Sequence, residues 1–68
     1  MITKAMLKSL TAAATRNRAN ICPIKGVHAA AEGALIEAMD RVGFIAWDGE
    51  PYKSVPRIND HGREALRR

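Results

Sequence analysis

The side chains best suited to chemistry in this chain are one cysteine and two histidines. Cys22 and His28 could act as a nucleophile and its base, and His61 stands beside Asp60. Nothing in so short a sequence supplies the pocket, the oriented third group or the oxyanion site that such a pair needs. A zinc site needs three or four ligands, which Cys22, His28 and His61 do not easily assemble. We therefore expect no enzymatic activity, no catalytic residues, no metal ion and no cofactor.

The cysteine count and the apolar runs also bear on the compartment. A single cysteine excludes a disulfide within the chain, so we interpret Cys22 as a small buried apolar residue. The apolar run from Leu10 to Ala14 is too short for a signal peptide, and Arg16 and Arg18 close it. No segment is long enough to cross a membrane. The sequence predicts a cytoplasmic protein with neither a membrane partner nor a small-molecule substrate.

The net charge of +4 is unevenly distributed along the chain. Residues 1–31 contain five basic residues and no acid, and residues 32–50 contain five acids against the lone Arg41. Basic residues dominate again from Pro51 to the end. A polyanionic partner would explain the basic segments, and so would a solvated surface that keeps a small protein in solution. Composition alone favours neither explanation.

The elements that must position these charges are organised around the stretch from Val27 to Ile58. Apolar residues recur there at the spacing of one buried helical stripe, at Val27, Ala30, Ala31, Ala34, Leu35, Ala38, Met39 and Val42. Gly43 ends this helix. Residues 44–47 are rich in aromatic and β-branched side chains, and Asp48-Gly49 indicates a tight hairpin turn that returns through residues 52–58.

The flanking segments predict two further helices. Thr3 is a suitable N-cap for a helix from Lys4 to about Asn17, with an apolar stripe formed by Met6, Leu7, Leu10, Ala13 and Ala14. Pro23 favours an extended segment over residues 21–24, and Gly26 then makes a turn and is a possible N-cap for the central helix. Asn59 caps a short final helix. We expect one compact domain of residues 1–68, whose core joins Leu7, Leu10, Leu35, Met39, Phe44, Trp47, Ile58 and Leu66.

The face of the central helix opposite its predicted stripe is small and acidic. It is formed by Ala29, Glu32, Gly33, Ile36, Glu37 and Asp40. A glycine inside a helix costs about 1 kcal/mol relative to alanine, so Gly33 suggests that another backbone approaches closely, unless it is simply a neutral surface residue. The hypothesis is that this face binds a second copy of the chain or another protein.

Two runs of residues carry a resemblance to a known family. The run G-V-H-A-A-A-E-G-A-L-I-E-A-M-D-R-V-G-F-I-A-W-D-G, followed by V-P-R-I-N-D-H-G-R-E-A-L, resembles the recognition helix, wing and closing helix of small winged helix-turn-helix proteins of bacteria and phages. The resemblance covers residues 26–68. It implies an α+β fold of a helix, a short extended connector, a helix, a two-stranded hairpin wing and a short C-terminal helix. Only residues 17–26 are available where the family has a strand and a full second helix, so that helix is shortened or absent.

The resemblance implies a DNA-binding protein that acts in transcriptional or phage regulation. The central helix would enter the major groove, and a wing of residues 48–54 would lie near the phosphate backbone. The residues available for such contacts are Arg16, Arg18, Lys25, His28, Lys53 and Arg57. The acidic face of the helix would repel phosphates and offers no side chain for bidentate contacts to bases. The alternative is therefore a protein interaction module that uses this face.

Overall fold

The computed structural model describes residues 2–23 and 26–67, which form an α+β domain of three helices and a two-stranded antiparallel hairpin. The helices are α1 (Lys4–Ala14), α2 (Ala29–Arg41) and α3 (Asp60–Leu66), and the strands are β1 (Ile45–Ala46) and β2 (Arg57–Ile58). The order helix, helix, hairpin, helix is the predicted one. None of the helices in the described part of the chain has the length and apolarity needed to span a membrane.

Helix α1 begins where the sequence predicts and ends earlier. The Oγ1 atom of Thr3 accepts a hydrogen bond from the Met6 amide at 3.1 Å, which confirms the N-cap. The helix stops at Ala14 rather than near Asn17. Thr15 turns its hydroxyl back to donate to the Ala12 carbonyl at 2.8 Å, and such local bonds compete with continuation of a helix.

The segment after α1 adds a short third partner to the hairpin. Within the hairpin, Ile45 pairs with Ile58 and Ala46 with Arg57. On the other side of β2, the Ile58 amide donates to the Ala19 carbonyl, and the Ile21 amide donates to the Pro56 carbonyl, each at 2.9 Å. The pairing is thus centred on Asn20. The predicted extended segment was 21–24, which begins one residue later and of which Ile24 lies outside the described residues. Side chains alternate across these strands, with one face in the core and one in solvent.

The core lies between α1, the hairpin and the buried side of α2. Four predicted core residues are confirmed as buried: Leu10, Met39, Phe44 and Ile58. Leu35, Trp47 and Leu66 are half-buried and pack against these residues. Leu7 is 45% exposed, so its assignment to the core was wrong. The buried stripe of α1 runs through Ser9 instead, whose small side chain allows a neighbouring element to approach closely.

Helix α2 is rotated by about one residue from the predicted orientation. Its most buried residues are Glu32 and Met39, with Leu35 and Ile36 half-buried between them. Ala30, Ala31 and Ala34 were predicted to be buried and are exposed. One residue corresponds to about 100° around a helix. Burial of leucine, isoleucine and methionine side chains removes far more apolar area from water than burial of alanine does, and this difference sets the orientation.

Both ends of α2 have defined caps. His28, and not Gly26, is the N-cap, because its Nδ1 atom accepts a hydrogen bond from the Ala30 amide at 3.1 Å. Gly43 ends the helix as predicted, with a φ of 81° that suits glycine. The Phe44 amide donates to the Met39 carbonyl at 2.9 Å and the Gly43 amide to the Asp40 carbonyl at 3.1 Å. These two bonds form a Schellman motif that turns the chain directly into β1.

The hairpin is closed by a long loop, so the predicted tight turn at Asp48-Gly49 was wrong. Ten residues, 47–56, separate Ala46 from Arg57. Proline has no amide hydrogen to donate to a ladder, and Pro51 and Pro56 stand at the two ends of the segment 51–56, which forms no strand. The Lys53 amide instead donates to the Glu50 carbonyl at 3.2 Å within the loop.

Asn59 fixes the start of α3 against the end of α2. Its Oδ1 atom accepts a hydrogen bond from the Gly62 amide, and its Nδ2 atom donates to the Gly43 carbonyl, each at 2.8 Å. A Cβ atom at Gly62 would collide with the Phe44 carbonyl oxygen. The predicted N-cap is confirmed, and glycine at 62 lets α3 pack directly on the backbone that leads into β1.

Candidate functional site

The strand pairing places two basic residues from distant parts of the chain on either side of the short segment 19–21. The Nη1 atom of Arg16 donates to the Asn20 carbonyl at 2.7 Å, and Asn20 is paired with Arg57 on β2. Paired residues on neighbouring antiparallel strands lie about 5 Å apart and point to the same face of the sheet. Arg57 lies on the solvent face and forms an ion pair with Asp48 at the start of the hairpin loop. The Ala19 carbonyl and the Ile21 amide face β2, so the Asn20 carbonyl points to the other side, and Arg16 and Arg57 flank the segment 19–21 from opposite sides.

The other predicted DNA contacts lie at the surface without being joined to this pair. Arg18 and Lys53 are exposed. His28 is also exposed, but its Nδ1 atom already accepts the Ala30 amide, which leaves Nε2 for an outside group. Lys25 lies outside the described residues. We use the name basic surface for the four arginine and lysine residues of this prediction that the structure describes, Arg16, Arg18, Lys53 and Arg57, three of them exposed and Arg16 half-buried.

The predicted acidic face of α2 is only partly formed. Ala29, Gly33 and Glu37 are exposed, and Ile36 and Asp40 are half-buried. Glu32 is only 6% exposed, so its assignment to this face was wrong. The one-residue rotation of α2 moves it inward. Neither of its carboxylate oxygens accepts a hydrogen bond from a described residue.

The remaining two carboxylates of this face are held by neighbouring groups. The Oε1 atom of Glu37 accepts a hydrogen bond from the Arg41 guanidinium at 3.1 Å. The Oδ1 and Oδ2 atoms of Asp40 accept hydrogen bonds from Trp47 Nε1 and the Tyr52 hydroxyl, each at 3.2 Å. The exposed side of α2 is formed mainly by alanine and glycine, and it repels phosphates less than the sequence suggests because Glu32 is buried and Glu37 is paired with Arg41; Asp40 keeps its charge.

An apolar groove, which sequence reasoning missed, lies between α2 and the hairpin loop. Its volume is about 300 Å³. The rings of Trp47 and Tyr52 are tilted by 45° to one another with centroids 4.7 Å apart. We call this feature the aromatic groove; its walls include Ile21, Gly33, Ile36, Trp47, Tyr52 and Val55. The sequence contains one signal for this groove: Trp47 and Tyr52, two of the three Phe, Trp and Tyr residues of the chain, lie in the hairpin loop of residues 47–56.

Tyr52 has an unusual backbone at the edge of this groove. Its φ of 65° lies in the left-handed region, which residues with a Cβ rarely adopt, and its side chain is exposed. Partial desolvation, followed by the nearby Asp40 carboxylate, raises the pKa of its phenol above the ordinary value. The hydrogen bond to Asp40 and the contact with Trp47 hold the residue in this conformation.

The cysteine and the two histidines lie in separate parts of the fold. Cys22 is half-buried, His28 caps α2, and the ring of His61 lies 5.2 Å from that of Phe44. Among residues 2–23 and 26–67, no group of three or more histidine, cysteine, aspartate or glutamate side chains could hold a metal ion.

Comparison with known proteins supplies no relative from which a function could be transferred. No family model matches the chain, and neither does a curated protein or a solved structure. The function must therefore be argued from the basic surface, the aromatic groove and the order of the elements.

Proposed function

We propose that this protein binds duplex DNA through its phosphates, with little selectivity for base sequence, as a small regulatory protein of the winged helix-turn-helix type. The observation that carries the proposal is the pairing of Asn20 with Arg57, which places half-buried Arg16 and exposed Arg57 on the two sides of the segment 19–21, with Arg57 paired to Asp48 of the hairpin loop. Guanidinium groups are well suited to phosphate because they donate hydrogen bonds in a planar fork.

The order of the elements supports this type of protein. In the resembling family a strand follows the first helix, and here residues 19–21 pair with β2 after α1. The described residues between Ile21 and His28 contain no helix, so the second helix of the family has no counterpart in them. The hairpin loop of residues 47–56 is long enough to act as a wing beside a DNA backbone.

The surface of α2 supports binding with weak selectivity. Its exposed side chains include Ala29, Ala30 and Ala34, which can contact thymine methyl groups but cannot form bidentate hydrogen bonds to bases. Glu32 does not reach this surface, and Glu37 is paired with Arg41. Affinity would then come mainly from phosphates and would fall steeply with salt concentration.

The proposal is tested by titrating a fluorescent duplex with the protein at several salt concentrations. Each phosphate contact contributes about 0.9 to the slope of log affinity against log salt. Lys53→Ala should therefore lower that slope by about 0.9 relative to the wild type. Lys8→Ala is the matched control, because it removes the same charge from an exposed position on α1 outside the basic surface.

Equal effects of Lys53→Ala and Lys8→Ala would mean that the duplex responds only to net charge, and the proposed surface would be wrong. A wild-type protein that fails to bind the duplex at low salt would remove DNA binding altogether.

A further inference from the structure

One wall of the aromatic groove contains a glycine. Gly33 lies on the wall of the groove in the middle of α2, and a Cβ atom built there would meet no atom within 4 Å. Packing inside the chain therefore does not require glycine at this position, although glycine disfavours a helix. A larger side chain at position 33 would project into the groove.

The opposite wall of the groove carries backbone strain at an exposed aromatic residue. Tyr52 has a φ of 65° and is 58% exposed, so burial of its ring against the core does not explain its conformation. Strained residues of this kind concentrate at binding sites, where the surrounding contacts hold them in place. Here the Trp47 ring and the Asp40 carboxylate hold Tyr52 at the edge of the groove.

The charge beside the two rings determines which partner fits. Asp40 accepts hydrogen bonds from both aromatic residues, and it takes part in no ion pair among the described residues. A carboxylate at the edges of a tryptophan and a tyrosine ring favours a cationic side chain, which can lie on a ring face and reach the carboxylate. The same carboxylate disfavours a phosphate group.

We propose that the aromatic groove binds a short peptide segment of another protein in which apolar side chains lie next to an arginine or lysine. The apolar side chains fill the groove along Ile36 and Val55, and the cationic side chain lies across Trp47 and Tyr52 toward Asp40. A volume of about 300 Å³ accommodates a few side chains, which suits a linear segment rather than a folded surface.

The test begins with a phage-displayed library of random dodecapeptides selected on the wild-type protein. Enriched sequences should combine apolar residues with an adjacent arginine or lysine. The enriched peptides are then synthesised and titrated against the protein, with the fluorescence of Trp47, the single tryptophan, as the signal. Gly33→Leu should weaken peptide binding by at least about tenfold. Asp40→Asn should weaken the binding of peptides that contain the arginine or lysine. It should not weaken the binding of peptides in which citrulline or norleucine replaces that basic residue. Ala34→Leu, also exposed on α2, should bind like the wild type.

Several results would overturn the proposal. These are a failure to enrich any peptide, enriched peptides without a basic residue, or peptides that bind Gly33→Leu as well as the wild type. A Gly33-dependent fluorescence change with single-stranded oligothymidine would assign the groove to nucleic acid, and Gly33-dependent self-association in sedimentation would assign it to a second copy. The test contains no duplex DNA, so its failure would leave the DNA-binding proposal standing.

Discussion

The Tyr52 hydroxyl donates a hydrogen bond to the Asp40 carboxylate at 3.2 Å and thereby joins the hairpin loop to α2. A residue with a Cβ in the left-handed region carries strain of about 1 to 3 kcal/mol. The bond to Asp40 and the packing on Trp47 offset that strain. This contact places Tyr52 at the edge of the aromatic groove and, after partial desolvation, contributes to the raised pKa of its phenol.

The titration of Tyr52 should report this contact directly. Tyr52 is the single tyrosine of the chain, so the ultraviolet absorbance of tyrosinate follows one group. Its pKa should lie above the ordinary value of 10.0, because of partial desolvation and then the Asp40 carboxylate. Asp40→Asn removes that charge and should lower the pKa of Tyr52. A pKa of Tyr52 that is the same in both proteins would contradict the contact.

The raised pKa also predicts how stability depends on pH. The folded chain holds the phenolic proton more tightly than the unfolded chain, so the folded state is favoured while Tyr52 is protonated. This contribution is complete below about pH 10 and is lost as the pH rises through the higher pKa of the folded state. Urea unfolding across that range should show a smaller decline for Tyr52→Phe than for the wild type.

Replacement of Glu32 should stabilise the fold. A buried carboxylate without hydrogen bonds from the described residues is costly, and a leucine of similar length would pack beside Met39 instead. Glu32→Leu should raise the free energy of unfolding by about 1 to 2 kcal/mol. Glu37→Leu is the control, because Glu37 is exposed and its replacement should change stability by about 0.5 kcal/mol or less. A less stable Glu32→Leu protein would show that the carboxylate has a stabilising partner.

Two glycines in helices should respond to alanine in opposite directions. Gly33→Ala meets open space and should raise the free energy of unfolding by about 1 kcal/mol. The added Cβ atom of Gly62→Ala would collide with the Phe44 carbonyl, and the substitution should lower the free energy of unfolding by about 1 to 3 kcal/mol. Thermal unfolding of both variants checks the pair. If both variants changed the free energy of unfolding in the same direction, either the open space at Gly33 or the close contact between Gly62 and Phe44 would be contradicted.

The features that the sequence predicted correctly are mostly local ones. Thr3 and Asn59 cap helices through side chains a few residues away, and Gly43 ends α2 through its own backbone conformation. The order of the elements follows from such signals and from hydrophobic periodicity. These local signals are therefore sufficient to predict α1 and α3.

The features that the sequence did not predict depend on tertiary contacts. The predicted orientation of α2 was wrong because apolar spacing alone does not distinguish alanines from Leu35, Ile36 and Met39, which gain much more from burial. The pairing of Asn20 with Arg57 joins residues far apart in the chain, and the aromatic groove is assembled from the connector, α2 and the hairpin loop. No local sequence pattern indicates contacts between segments that are so far apart in the chain.

The ion pair between Arg57 and Asp48 offers the most direct test of DNA binding. Both side chains are about half exposed, and such surface pairs contribute at most about 1 kcal/mol, so the pair can be broken without unfolding the chain. Asp48→Asn would release Arg57 for a phosphate and would remove a repelling charge from the loop. Arg57→Ala would remove the contact itself.

The decisive measurement is the affinity for duplex DNA of the wild type, Asp48→Asn and Arg57→Ala at low salt and across a salt series. We expect Asp48→Asn to bind more tightly, with a steeper salt slope, and Arg57→Ala to bind more weakly, with a flatter slope, the two differing by about 0.9. Binding by Asp48→Asn that is equal to or weaker than that of the wild type would contradict the proposed role of Arg57 and, with it, the basic surface as the DNA-binding site.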